Sequence, residues 1–108
     1  MERIETTVLK NLIFNEDYSR KVLPFLKSEY FESYHEKVVF EETAKFIIEY
    51  SNLPSKEAIV IEAEKRTDIS DEGFKDITKL VTELNEEKSD LQWLFDTTEK
   101  WCRDRAIY

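Results

Sequence analysis

Glycine and proline are almost absent from this sequence, which contains one glycine and two prolines among 108 residues. Average proteins use about 7% glycine and about 5% proline, and these two residues supply most tight turns. A chain with so few of them favours long helices joined by short polar links. Hydrophobic residues make up 41% of the chain, which excludes disorder and allows a core without disulfides or a metal ion.

Apolar residues recur at intervals of three and four along the chain, as expected for one face of a helix. The clearest stripes are Val8, Leu9, Leu12 and Ile13 near the start, and Phe74, Ile77, Val81 and Leu84 further on. The spacing predicts six helices, at about 2–14, 16–26, 34–51, 56–66, 71–84 and 90–108, with Asn15, Ser55 and Ser70 as N-caps. On the first helix, Glu5 and Lys10 are expected on the exposed side.

The predicted fold class is therefore all-α, in one domain. A small helical globule over residues 1–66 is expected to precede an antiparallel two-helix hairpin over 67–108, because only a short link joins the last two helices.

Charge and segment length limit the possible partners. The net charge is −8 and the pI about 4.7, and neither half of the chain is basic: residues 1–54 carry 7 basic and 10 acidic residues. Phosphate binding draws its affinity from lysine and arginine, so we expect no direct nucleic-acid binding by this domain and a protein as partner. No apolar run approaches the roughly 20 residues that span a bilayer, and Cys102 is the only cysteine, so no membrane association and a cytoplasmic location are predicted.

The last helix predicts a contact with a second copy of the chain. At about 100° per residue, Trp93 and Ile107 point away from the apolar sector that contains Leu94 and Trp101. Leu80 similarly widens the apolar stripe of the fifth helix. A hairpin shelters one face only, so the surplus residues are partly exposed, packed in the core in the ordinary way, or covered by a sister copy, and the last of these is the prediction made here. The predicted subunit interface comprises Phe74, Ile77, Leu80, Val81, Leu84, Leu91, Trp93, Leu94 and Phe95.

Catalytic and metal chemistry find little support in the sequence. Gly73 is the only glycine, so these 108 residues contain no glycine-rich phosphate loop, and no cofactor and no enzymatic activity of this chain are predicted. The segment 68–73 resembles a calcium loop, but Lys79 occupies the position of the bidentate glutamate, which favours a helix N-cap instead. Glu32 and His35 have the spacing of a di-iron ligand pair without a second pair, so His35 is expected to cap or pack at the start of the third helix.

The order of several short motifs resembles the N-terminal domain of DnaB-type replicative DNA helicases. The matching residues are Val8-Leu9, Leu12-Ile13-Phe14-Asn15, Tyr18, Val22-Leu23, Phe25-Leu26, Tyr30-Phe31, His35, Val38 and Phe40, followed near the end by Trp101 and Arg103-Asp104-Arg105-Ala106-Ile107. The short Leu53-Pro54-Ser55 connection is more similar to T-even-type phage helicases than to bacterial ones.

The resemblance implies a non-catalytic assembly and docking domain. Hairpins of two subunits would pair, the pairs would form a ring above the motor domains, and the ring would hold primase at the replication fork. Arg103 and Arg105 would contact a linker or a neighbouring subunit, and the ATP-binding part would lie beyond Tyr108.

An alternative hypothesis is a small acidic all-helical regulator that binds a basic protein or mimics DNA. That function requires carboxylates clustered on one face at phosphate-like spacing, whereas here they are spread around every predicted helix.

Overall fold

The computed structural model describes residues 3–106, and helices are the only regular secondary structure in this part of the chain. The helices are α1 (Ile4–Phe14), α2 (Glu16–Val22), α3 (Tyr34–Tyr50), α4 (Lys56–Glu64), α5 (Asp71–Glu83) and α6 (Leu91–Ala106). Two short 3-10 helices, Leu23–Phe25 and Ser28–Tyr30, connect α2 to α3. The prediction of an all-α fold with about six helices is confirmed. Glu2, Ile107 and Tyr108, which the predicted helices included, lie outside the described residues.

Local sequence signals explain where the helices begin. The side chains of Asn15, Ser55 and Ser70 each accept a hydrogen bond from the backbone N–H three residues later, at 3.0–3.1 Å, as predicted for N-caps. Helix α2 ends at Val22, four residues earlier than predicted, because Pro24 lies in the first turn of the 3-10 helix that follows. Helix α3 ends at Tyr50, and its C-cap Ser51 has a left-handed φ of 55°.

The last two helices pack on different neighbours. Helix α5 lies against α3 and α4, whereas α6 lies against α2 and the 3-10 helix Ser28–Tyr30. Helix α1 packs on α2 and α3 and occupies the centre of the bundle. The structure therefore differs from the predicted hairpin, in which the last two helices would pack mainly on each other. The physical reason is that each of these helices packs its apolar face against earlier helices of the chain.

One hydrophobic core contains residues from both predicted segments. Val8, Leu12 and Phe31 belong to the same buried cluster as Ile77 and Leu94. The packing of this core is continuous across residue 66 and marks no boundary there. The division of the chain at that point stays a prediction.

Two charged residues of α1 are buried, which corrects the expectation that they lie on its exposed side. Glu5 and Lys10 are 4% and 3% exposed. Glu5 accepts a hydrogen bond from Arg105 of α6 at 2.9 Å, and Lys10 donates to Glu87, in the connection between α5 and α6, at 2.7 Å. Long-range partners thus allow these charges to be buried, since a paired charge costs far less to desolvate than an isolated one.

No helix among residues 3–106 is both long enough and apolar enough to cross a membrane.

Candidate interaction surface

Most of the predicted interface residues are covered by the chain itself. Ile77, Val81, Leu84 and Leu94 are at most 1% exposed, and all four belong to the core. Phe74, Leu80, Leu91 and Phe95 are partly buried and pack against that core. Trp93 alone of the nine is strongly exposed, at 50%. The role of this set in a subunit contact stays a prediction, and the structure leaves Trp93 as its exposed member.

The outer side of α5 is polar. Its exposed residues are Asp71, Glu72, Lys75, Asp76, Lys79, Thr82 and Glu83. The expectation that the last two helices carry more apolar area than the chain can shelter is therefore not met on α5. Helices α3 and α4 together cover most of its apolar stripe, because α5 lies against both of them.

An open apolar groove runs between α2 and α6. Its volume is about 450 Å³, and it is lined by Lys21, Val22, Phe25, Tyr30, Phe95, Thr98, Glu99, Cys102, Arg103 and Ala106. Phe25, in the 3-10 helix after α2, is 68% exposed and forms one wall. Cys102 is half-buried on the other wall, and burial raises the pKa of its thiol, as expected for a small hydrophobe.

Buried polar and aromatic contacts join α2 to α6 beside this groove. The Tyr18 hydroxyl and the Thr98 Oγ1 are 2.6 Å apart, and both side chains are buried. Burial raises the pKa of Tyr18 to about 12, although the Thr98 hydrogen bond lowers it. The rings of Tyr18 and Phe95 are stacked with their centroids 6.1 Å apart. These contacts hold α6 on α2 beside the groove.

The two arginines predicted as linker or partner contacts have different environments. Arg105 donates to Glu5 and Glu32, each at 2.9 Å, and so holds the end of α6 on α1 and on the segment before α3. Arg103 is exposed at the rim of the groove and lies 3.9 Å from Glu99. Their contacts with a linker or another subunit stay predictions, and Arg103 is the more accessible of the two.

His35 joins α3 to α5. Its Nε2 lies 3.2 Å from Asp76 Oδ2, and its Nδ1 lies 3.1 Å from the hydroxyl of Ser33. The predicted packing at the start of α3 is confirmed; the hydrogen bond to the backbone that was also expected of His35 is replaced by contacts with these two side chains. Among residues 3–106 no group of three or more histidine, cysteine, aspartate or glutamate side chains is placed to hold a metal ion.

The segment that resembles a calcium loop is a helix cap, as predicted. Ser70 caps α5, and Asp68 accepts two hydrogen bonds from Arg66, at 3.0 and 2.9 Å. These bonds hold the pKa of Asp68 at about 2. The ionised carboxylate of Asp68 is thus already paired with the guanidinium of Arg66.

Sequence reasoning missed the groove. Phe25 was noted only as part of the family resemblance and was placed inside the predicted helix 16–26, and Lys21 was given no role. The available signal was Pro24, since a proline at that point ends the α-helix and turns the next side chain outward.

No family model matches the chain. The chain is 32% identical over 101 residues to the DnaB-like replicative helicase of Enterobacteria phage T4, and the match covers 94% of this chain but only 21% of that helicase. The chain thus spans about a fifth of the length of the curated relative that it matches. The match confirms the resemblance to T-even-type phage helicases that the sequence indicated.

Proposed function

We propose, from its relation to a DnaB-like replicative helicase, that this chain is a non-catalytic assembly and docking domain of a hexameric replicative helicase. The observation that carries the proposal is the 32% identity over 94% of the chain. In this proposal the domain associates with copies of itself through α6 and the neighbouring part of α5, and it docks primase at the replication fork. Unwinding and ATP hydrolysis would belong to other parts of the full-length protein, in the cytoplasm of a bacterial host.

Trp93 is the residue that best supports self-association through α6. Its ring is half exposed and lies among the polar residues Gln92, Asp96 and Lys100. Interfaces commonly place an aromatic anchor inside a polar rim, and a single such anchor can dominate the binding energy. The buried members of the predicted set would then act by holding α5 and α6 in place in the core.

Sedimentation of the whole chain over a range of concentrations tests this proposal. We expect reversible self-association, weakened about 30-fold by Trp93→Asp, because loss of an interface hot spot costs about 2 kcal/mol. Circular dichroism should show unchanged helicity, since Trp93 is outside the core. Ile48→Asp is the matched control: Ile48 is 76% exposed on α3, and its substitution should leave association unchanged. Equal effects of the two substitutions would contradict an interface centred on α6.

Calorimetric titration of the chain with the primase encoded by the same genome tests docking separately. A saturable interaction is expected, and its absence for both the chain and the full-length protein would refute the docking role. Three carboxylates are not available to the acidic-regulator alternative, because Glu5, Glu36 and Glu42 are buried and pair with arginines of the chain.

A further inference from the structure

The groove between α2 and α6 leaves apolar side chains exposed in the folded chain. Phe25 on one wall is 68% exposed, and Phe95 and Cys102 on the other are only partly covered. Its volume of about 450 Å³ falls in the range of sites that bind ligands or peptide side chains. Two packed helices form the walls, and such a groove can receive the apolar face of a third helix.

The rim of the groove is positive although the chain is strongly acidic. Lys21 on one wall and Arg103 on the other face the opening, against the single carboxylate of Glu99. Lys21 Nζ lies 4.5 Å from the centroid of the Phe95 ring and pairs with no carboxylate among residues 3–106. Arg103 is at the limit of ion-pair distance from Glu99, at 3.9 Å. In a chain of net charge −8, two such cations beside an apolar groove favour an acidic occupant.

We propose that this groove binds an acidic amphipathic helix of a partner protein. Apolar side chains spaced at i, i+3 or i+4, and i+7 would lie between Phe25 and Phe95, and carboxylates flanking that stripe would reach Lys21 and Arg103. The helix would complete the packing of α6, which α2 covers on one side only. The proposal depends on residues of the groove and not on the helicase role proposed above.

Titration with a designed peptide tests this binding mode. The probe is a fluorescein-labelled amphipathic helix about 18 residues long, long enough to be helical, with a leucine stripe flanked by glutamates. The comparison peptide has lysines in place of the glutamates. Fluorescence anisotropy should show saturable binding of the glutamate peptide to the whole chain, weakening as salt is added, and binding of the lysine peptide at least about fivefold weaker.

Groove variants locate the binding site. Phe25→Ala and the double variant Lys21→Glu/Arg103→Glu should each weaken binding of the glutamate peptide by about fivefold or more. All three residues lie at the groove rather than in the core, so these variants are expected to fold. Lys45→Glu/Lys75→Glu makes the same change in net charge at exposed positions outside the groove, and it should bind as the unmodified chain does.

Two results would overturn the proposal. The first is equal binding of both peptides, or equal binding by the groove variants and the charge-matched control. The second is a loss of self-association in sedimentation when Phe25 is changed to alanine, because a second copy of the chain would then occupy the groove. The helicase role is judged by the effect of Trp93→Asp on association and by primase binding, so the two proposals can fail independently.

Discussion

Helices α5 and α6 have similar apolar stripes in the sequence but different surroundings in the structure. Helix α5 is covered along its apolar side by α3 and α4, and its outer side is entirely polar. Helix α6 is covered by α2 and a short 3-10 helix, and it exposes Trp93 on one side and the groove residues on another. An apolar stripe thus predicts that a helix has a buried face, but not how much of that face its own chain covers.

The difference assigns different roles to the two helices. Helix α5 contributes to stability and presents a solvated surface, whereas α6 contributes to stability and also carries the surfaces on which both proposals depend. Contacts with a partner are therefore expected to involve α6 more than α5.

Truncation of one core residue in each helix tests whether the two are equally part of the core. Ile77→Ala in α5 and Leu94→Ala in α6 should each lower the free energy of unfolding by about 2–5 kcal/mol, because both side chains are at most 1% exposed. Urea denaturation followed by circular dichroism measures the effect. Unfolding should remain a single transition in both variants, since both residues belong to one cluster.

Ile48→Ala is the control for this experiment, and its effect should stay within about 0.5 kcal/mol because the side chain is exposed. A second transition in Leu94→Ala alone would mean that α6 unfolds separately. The two helices would then differ in their stability rather than in the apolar surface that they expose.

Much of the fold could be predicted from the sequence because its signals are local. Asn15, Ser55 and Ser70 act through backbone groups three residues away, so the sequence locates the starts of three helices correctly. The partner of each helix depends on contacts between distant residues. Neither the placement of α5 on α3 and α4 nor that of α6 on α2 is visible in a local pattern.

The dependence on contacts between distant residues also explains why the predictions for Glu5 and Lys10 were wrong. Glu5 lies four residues before Leu9, on the buried stripe of α1, but its burial depends on Arg105, a hundred residues away. Lys10 is buried with Glu87 as its partner. A charged residue is usually exposed, and only the tertiary structure shows the partner that makes an exception possible. The groove was missed for a similar reason, since it forms only when α6 lies on α2.

Alkaline pH should weaken the packing of α6 but not that of α5, because a buried phenol holds α6 in place and no such group holds α5. Burial raises the pKa of Tyr18 from 10.0 to about 12, so the unfolded chain ionises this group first as the pH rises. The stability that the neutral phenol contributes is fully present below pH 10 and is lost between pH 10 and 12. The loss amounts to about 2–3 kcal/mol, measured as the difference in unfolding free energy between the unmodified chain and Tyr18→Phe.

At pH 8 the Tyr18→Phe variant should be less stable by about 1 kcal/mol, because the Thr98 hydroxyl loses its buried partner. Between pH 10 and 12 the two proteins should converge and then reverse in order. Tyr50→Phe controls for loss of a phenol at the surface. Parallel pH profiles of Tyr18→Phe and the unmodified chain would show that the phenol stays accessible to solvent.

The smallest effect is expected at the connection between the two helices, where adjacent glutamates provide a matched pair of variants. Glu87 accepts a hydrogen bond from the buried Lys10 at 2.7 Å, whereas Glu86 is exposed. Glu87→Gln should cost about 1 kcal/mol of unfolding free energy, because it weakens a charge-assisted contact that is partly open to solvent. Glu86→Gln makes the same change in net charge one residue earlier and should have almost no effect. Equal effects of the two variants would indicate general charge repulsion rather than attachment of the connection to α1. The different packing of α5 and α6 would then have to be set by their apolar faces alone.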